Sequence, residues 1–105
     1  MTIEVIYLPE VRKFINKLDF NLEEQVVSLI YALADHGHLL RMPYSKALGR
    51  GLFELRILGQ IQIRIFYCFY EDKVYLLYAI IKKRRTLAKA DIARARELKR
   101  LVERL

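Results

Sequence analysis

The spacing of apolar and polar positions changes along the chain, and each change predicts an element. Thr2 to Tyr7 alternates and is rich in β-branched residues, which predicts a first strand. Pro9 suits the first turn of a helix, and Val11, Phe14, Ile15 and Leu18 recur at helical spacing up to Asp19. Asn21 reads as the N-cap of a second helix, with Glu24 three residues on in the manner of a capping box. Leu22, Val26, Leu29, Ile30 and Leu33 form the apolar stripe of that helix, and Gly37 suits its end. The very short connection predicts an antiparallel helical hairpin.

His38 to Gly51 reads as a loop punctuated by Pro43, Gly49 and Gly51. Three strands are then expected. Leu52–Leu58 and Ile61–Tyr70 are separated by a turn around Gly59, and Lys73–Ile81 follows a tight Glu71-Asp72 turn. From about Leu87 to Leu105 helix formers return, with Ile92, Ala95, Leu98, Leu101, Val102 and Leu105 available for burial. The order β-α-α-β-β-β-α predicts one α+β domain over residues 1–105. It holds a small antiparallel sheet covered on one face, an N-terminal helical hairpin and a C-terminal helix.

Strand register follows from the same pattern. Phe53, Leu55 and Ile57 share one face, and Glu54 and Arg56 the other. In the next strand Ile61, Ile63 and Ile65 oppose Gln62 and Arg64. Apolar must meet apolar across the pair, which demands an odd-length loop. With Leu58-Gly59-Gln60 as that loop, Leu55 meets Ile63, Glu54 faces Arg64 and Arg56 faces Gln62. A carboxylate and two arginines then gather on the face away from the helices. The end of the third strand, Lys82-Lys83-Arg84-Arg85, should lie beside Gln62 and Arg64.

Charge sharpens this picture. The net charge is +7, but residues 1–40 carry three Lys/Arg against six Asp/Glu, and residues 41–105 carry sixteen against six. A polyanion would therefore meet the later two-thirds of the chain. Cys68 is the single cysteine, which excludes an internal disulfide, and with two histidines it makes a poor basis for a structural zinc site. No apolar stretch is long enough to span a bilayer, and the start of the chain does not resemble a signal peptide. These features suit a reducing cytoplasm, no membrane partner and no cofactor.

The basic patch has the equipment for metal-independent RNA cleavage by attack of a 2′-hydroxyl on the adjacent phosphate. Arg56 and Arg64 could clamp phosphate oxygens with planar forks, and Lys82 or Lys83, crowded by other cations, could exchange protons. Glu54, flanked by arginines, suits an orienting role better than that of a base. Lys46 and Arg50, and Arg84 and Arg85 in the basic run, are candidate RNA-backbone contacts. An ordinary cross-strand ion pair beside a solvated basic turn explains the same residues at a stabilisation of roughly 0.2–1 kcal/mol. His36 and His38 fall near a helix end, where a cation complements the dipole, and nothing in the pattern puts them at the patch. Phe66, Tyr67, Phe69, Tyr70, Tyr75 and Tyr78 fall on both strand faces; most should be core, and one or two on the arginine face could stack on bases.

Leu52-Phe53-Glu54-Leu55-Arg56, then Arg64-Ile65-Phe66-Tyr67, then Ile80-Ile81-Lys82-Lys83 and a basic C-terminal helix together resemble the phage-derived, HigB-like branch of the RelE/ParE toxin superfamily. The resemblance spans nearly the whole chain in element order and is sharpest over residues 48–96. It implies a small antiparallel sheet with two N-terminal helices. It implies mRNA cleavage on the translating ribosome, blocking translation, and a helix-turn-helix antitoxin protein whose complex with the toxin binds operator DNA. By the same resemblance Arg56 and Arg64 match strand arginines linked with phosphate binding or catalysis, and Lys82 and Lys83 the basic pair ending the third strand. The chain departs from that branch at Arg84-Arg85-Thr86-Leu87, where a polar turn with a proline is more usual, and it has no histidine near the end of that strand. Two other readings fit the sequence: a ParE-like toxin that inhibits gyrase, and a nucleic-acid-binding module without catalysis.

Overall fold

A computed structural model describes residues 2–105. The elements are β1 (Glu4–Tyr7), α1 (Pro9–Asn16), α2 (Phe20–His36), β2 (Ser45–Gly49), β3 (Leu52–Ile57), β4 (Ile63–Tyr70), β5 (Lys73–Ile81) and α3 (Lys89–Val102). A 3-10 turn over Gly37–Leu39 follows α2. The fold is α+β as the pattern predicts, with one further strand. β2 lies inside the expected 38–51 loop, where a short segment with Lys46, Gly49 and no β-branched residue carries little strand signal. The five strands run in the order β1-β5-β4-β3-β2, antiparallel except for the parallel pair β1–β5.

The sheet is covered on both faces rather than one. Val11 and Ile15 of α1 and Val26, Ile30 and Leu33 of α2 pack on Leu55, Ile57, Ile63, Ile65, Tyr67, Val74 and Leu76. On the opposite face Ala95, Leu98 and Val102 of α3 cover Leu52, Phe66, Cys68, Tyr75 and Leu77. A bulge between β4 and β5 leaves Leu77 as the extra residue, since Phe66 opposes Tyr78 while Tyr67 opposes Leu76. The face bearing Glu54, Arg56 and Arg64 is thus α3's face, beyond the part that α3 covers.

Two local expectations are corrected. α2 starts at Phe20, and its N-cap is Asp19, whose carboxylate accepts from the Leu22 N–H at 2.9 Å. The Asn21–Glu24 pair lies inside the first turn, because Asp19 sits one residue outside the helical segment and reaches the free N–H first. The β3–β4 register is two residues away from the expected one. Leu55 opposes Ile65, Ile57 opposes Ile63, Arg56 opposes Arg64 and Glu54 opposes Phe66. The connection is residues 58–62 rather than three residues. Parity forbids even loops but does not choose between three and five, and the longer loop pairs Ile57 with Ile63 on the helix-covered face.

Candidate functional site

Glu54 lies at the centre of the site. It is 4% exposed, and Arg64 beside it is 2% exposed. Glu54 Oε2 lies 3.6 Å from Arg64 Nε, and Glu54 Oε1 lies 3.6 Å from Arg56 Nε. The predicted trio therefore forms: strand pairing sets Arg64 opposite Arg56, and the carboxylate reaches along β3 to Arg56 and diagonally across to Arg64. It separates two guanidiniums that would otherwise repel at adjacent positions.

The rest of Arg64 is held from one side. Its Nη1 and Nη2 both donate to Gln62 Oε1 at 3.2 Å, and Nη1 also donates to the Ile63 carbonyl at 3.1 Å. Gln62 is fixed in turn by donating from Nε2 to the Gly59 carbonyl at 2.7 Å. Burial pulls the Arg64 guanidinium below the ordinary arginine range; Glu54 opposes this and Arg56 adds to it. Glu54 Oε2 and the Nε atoms of Arg56 and Arg64 are buried without a hydrogen bond inside the protein. At 3.6 Å these contacts are ion pairs rather than hydrogen bonds, so the carboxylate is held between the two cations mainly by charge.

Arg56 is the outer arginine, with its side chain 21% exposed. Its backbone N–H donates to the Tyr44 carbonyl at 2.7 Å, and its Nη1 donates to Met42 Sδ at 3.2 Å. Met42 and Tyr44 are exposed. The hydrophobic pattern marks neither residue, because both belong to a turn that only the β2–β3 pairing brings to Arg56. Gln62 is also unmarked as the holder of Arg64, since its role depends on the longer loop.

Lys46 is exposed and directly opposes Glu54 on the β2 edge, so it shares the arginine face. Arg50 is exposed at the β2–β3 turn. At the other border, the Lys82 N–H donates to the Gln62 carbonyl at 2.7 Å, which places the end of β5 beside the start of β4 as the sequence predicts. The Lys82 ammonium donates to the Arg85 carbonyl at 2.8 Å, and Lys83, Arg84 and Arg85 are exposed. A hollow at this border is lined by Lys82, Lys83, Arg84, Thr86 and Asp91 among others.

The histidines lie elsewhere. His36 ends α2, and His38 stacks on Phe69 at 3.7 Å between ring centroids, at the far end of β4 and on its other face. Phe66 and Tyr67 are buried, Tyr67 with its hydroxyl 2.6 Å from Ser45 Oγ, while Phe66 stacks with half-buried Tyr78. Among the described residues, no three His, Cys, Asp or Glu side chains gather in a way that could hold a metal ion. No helix among them is long and apolar enough to cross a membrane.

Fold and site together define a class: a small basic α+β domain with an interior carboxylate–guanidinium cluster on one face of its sheet. The family model of the phage-derived Gp49-like proteins (DUF891) matches residues 13–100, most of the chain, and the chain belongs to that family. The family includes RelE-like toxins of toxin–antitoxin systems. Among curated proteins, none matches the chain.

Proposed function

We propose that this protein is the toxin of a toxin–antitoxin pair, of the HigB-like kind, and that it cleaves mRNA on the translating ribosome without a metal. The observation that carries the reading is the interior Glu54–Arg56–Arg64 cluster, with Arg56 its partly exposed member, set between exposed Lys46 and the basic end of β5. In the reaction the 2′-oxygen of one nucleotide bonds to its own 3′-phosphorus. The bond from that phosphorus to the next nucleotide's 5′-oxygen then breaks. The products are a cyclic phosphate and a 5′-hydroxyl end. The 2′-hydroxyl loses a proton, the leaving oxygen gains one, and the phosphorane between them carries extra negative charge.

Arg56, the outer guanidinium, is assigned to that phosphate. Lys82 and Lys83 exchange the protons. Arg64 is interior in the free protein; its contribution is to hold Glu54 and, through Glu54, the orientation of Arg56. Lys46, Arg50, Arg84 and Arg85 contact the RNA backbone. The partner that silences the toxin is an antitoxin protein, and operator DNA is met only through that complex.

The test is a transcriptome-wide map of mRNA 5′ ends minutes after induction of this protein alone. The expected result is new 5′-hydroxyl ends inside translated frames, in register with codons. They should be lost in equally abundant Arg56→Ala and Lys82→Ala variants. An unchanged map with arrested growth would move the target to gyrase, and an unchanged map with normal growth would leave a binding module.

A further inference from the structure

Arg50, Arg96, Lys99 and Arg100 line a hollow between the β2–β3 turn and α3, with no acidic residue among its lining groups. It is distinct from the Glu54 cluster. Arg50 precedes Arg56 by six residues, roughly 20 Å along an extended strand at about 3.3 Å per residue.

The hollow is built rather than incidental. Arg96 donates from Nη2 to the Leu48 carbonyl at 2.9 Å and from Nη1 to the Gly49 carbonyl at 3.1 Å, so its guanidinium is fixed without a carboxylate neutralising it. Lys99 donates to Glu103 Oε2 at 2.7 Å and presses on the turn, where a Cβ at Gly51 would come within 3.3 Å of Lys99 Cε. The turn holds Arg50 at φ +51°, between Gly49 at +95° and Gly51 at +75°. An arginine in the left-handed region is disfavoured relative to glycine or asparagine, yet the turn presents this long cation there. Arg50 and Arg100 are exposed, and neither makes an ion pair among the described residues.

Four cations meet here against one carboxylate, Glu103. Arg96 ties the turn to α3, but exposed Arg50 and Arg100 add repulsion to the other cations, so stability does not account for their presence here. Forked guanidiniums on a concave surface complement phosphate. Exposed Lys46 lies on β2 level with Glu54, four residues before Arg50, so one sheet edge carries cations at both sites.

We infer that the hollow is a second phosphate site, which grips the backbone of the same single-stranded RNA several nucleotides from the Glu54 cluster. The inference rests on the RNA reading above and adds Arg96, Lys99 and Arg100 to it. The experiment measures binding of 2′-O-methyl oligonucleotides, which cannot be cleaved, across a salt series. One oligonucleotide is short enough to cover the Glu54 cluster only, and the other is long enough to reach α3. The proteins are the wild type and R100A, a position that is exposed and outside the core. For the long oligonucleotide the variant should bind several-fold more weakly, with the slope of log K against log salt shallower by about 0.7, the value for one single-strand phosphate. The short one should bind both proteins alike.

An unchanged slope for the long oligonucleotide, with the wild type binding it, overturns this inference and leaves the RNA reading standing. Equal losses at both lengths overturn it as well, as a general charge effect. Unchanged RNA binding with a weakened antitoxin complex assigns the hollow to that protein instead and overturns it. No binding of either oligonucleotide by the wild type overturns this inference, while the RNA reading stands or falls on the map of mRNA 5′ ends.

Discussion

Neutralising Glu54 would leave Arg64 as an interior cation with its countercharge gone. Loss of one partner from a buried ion pair is costly because the remaining charge stays desolvated. Glu54→Gln should therefore lower the unfolding free energy by about 3 kcal/mol, measured by urea denaturation. A loss below about 0.5 kcal/mol, the size of an exposed pair, would show that Arg64 escapes to solvent instead. Cys68, under α3, supplies a second expectation. Burial pushes its thiol up to about 11 from an ordinary value near 9, with Lys99 opposing and Glu103 adding. The folded state then keeps its proton while the unfolded state releases it. The stability is fully present below about pH 9 and is lost as pH rises towards 11, by about 2 kcal/mol. Denaturant midpoints of the wild type should fall across that window relative to Cys68→Ala, and parallel curves would refute the effect. At this scale residue types and the Glu54–Arg64 pairing were legible in the sequence, but the other partners were not. Gln62 read as a strand residue facing Arg56, and Met42 and Tyr44 as loop residues, until the fold set them around two guanidiniums.

Among elements, β2 is the one that the pattern hid. It is a short edge strand paired with β3 alone, and Arg96 of α3 adds hydrogen bonds to its Leu48 and Gly49 carbonyls. Arg96→Ala should cost about 1–2 kcal/mol and speed hydrogen exchange of the β2 amides more than those of β4. Uniform exchange throughout the sheet would argue against that attachment. The long apolar elements were legible because burial of one face enforces their period, as Val26, Ile30 and Leu33 do in α2. The β3–β4 register was legible in parity alone. Alternation fixes which face a residue occupies, while the choice between a three- and a five-residue loop depends on how Ile57, Ile63 and Gln62 pack once the strands meet.

For the whole molecule, the charge asymmetry acquires a shape. The acidic first forty residues supply β1 and the two helices on one face, and the basic remainder supplies the other strands and α3. The arginine face and the cationic hollow therefore lie on the side away from α1 and α2. A single covered face was expected, although the last helix carried an apolar stripe available for burial and needed a partner. It finds one in Leu52, Phe66, Cys68 and Leu77, which read as strand residues with no stated side.

The amino-acid sequence by itself determined the α+β class, most of the elements, the helix-covered face of β3 and of the start of β4, and the charges available to meet a polyanion. These follow from local periodicity and composition, which need no knowledge of distant contacts. Only the tertiary structure decided that Glu54 reaches Arg64 diagonally, that Gln62 holds Arg64 inside, and that Arg50 and α3 share a hollow. Each depends on loop length, a strand edge or a helix docked some fifty residues away in the chain, and the energies that select among such arrangements are packing energies of the assembled fold.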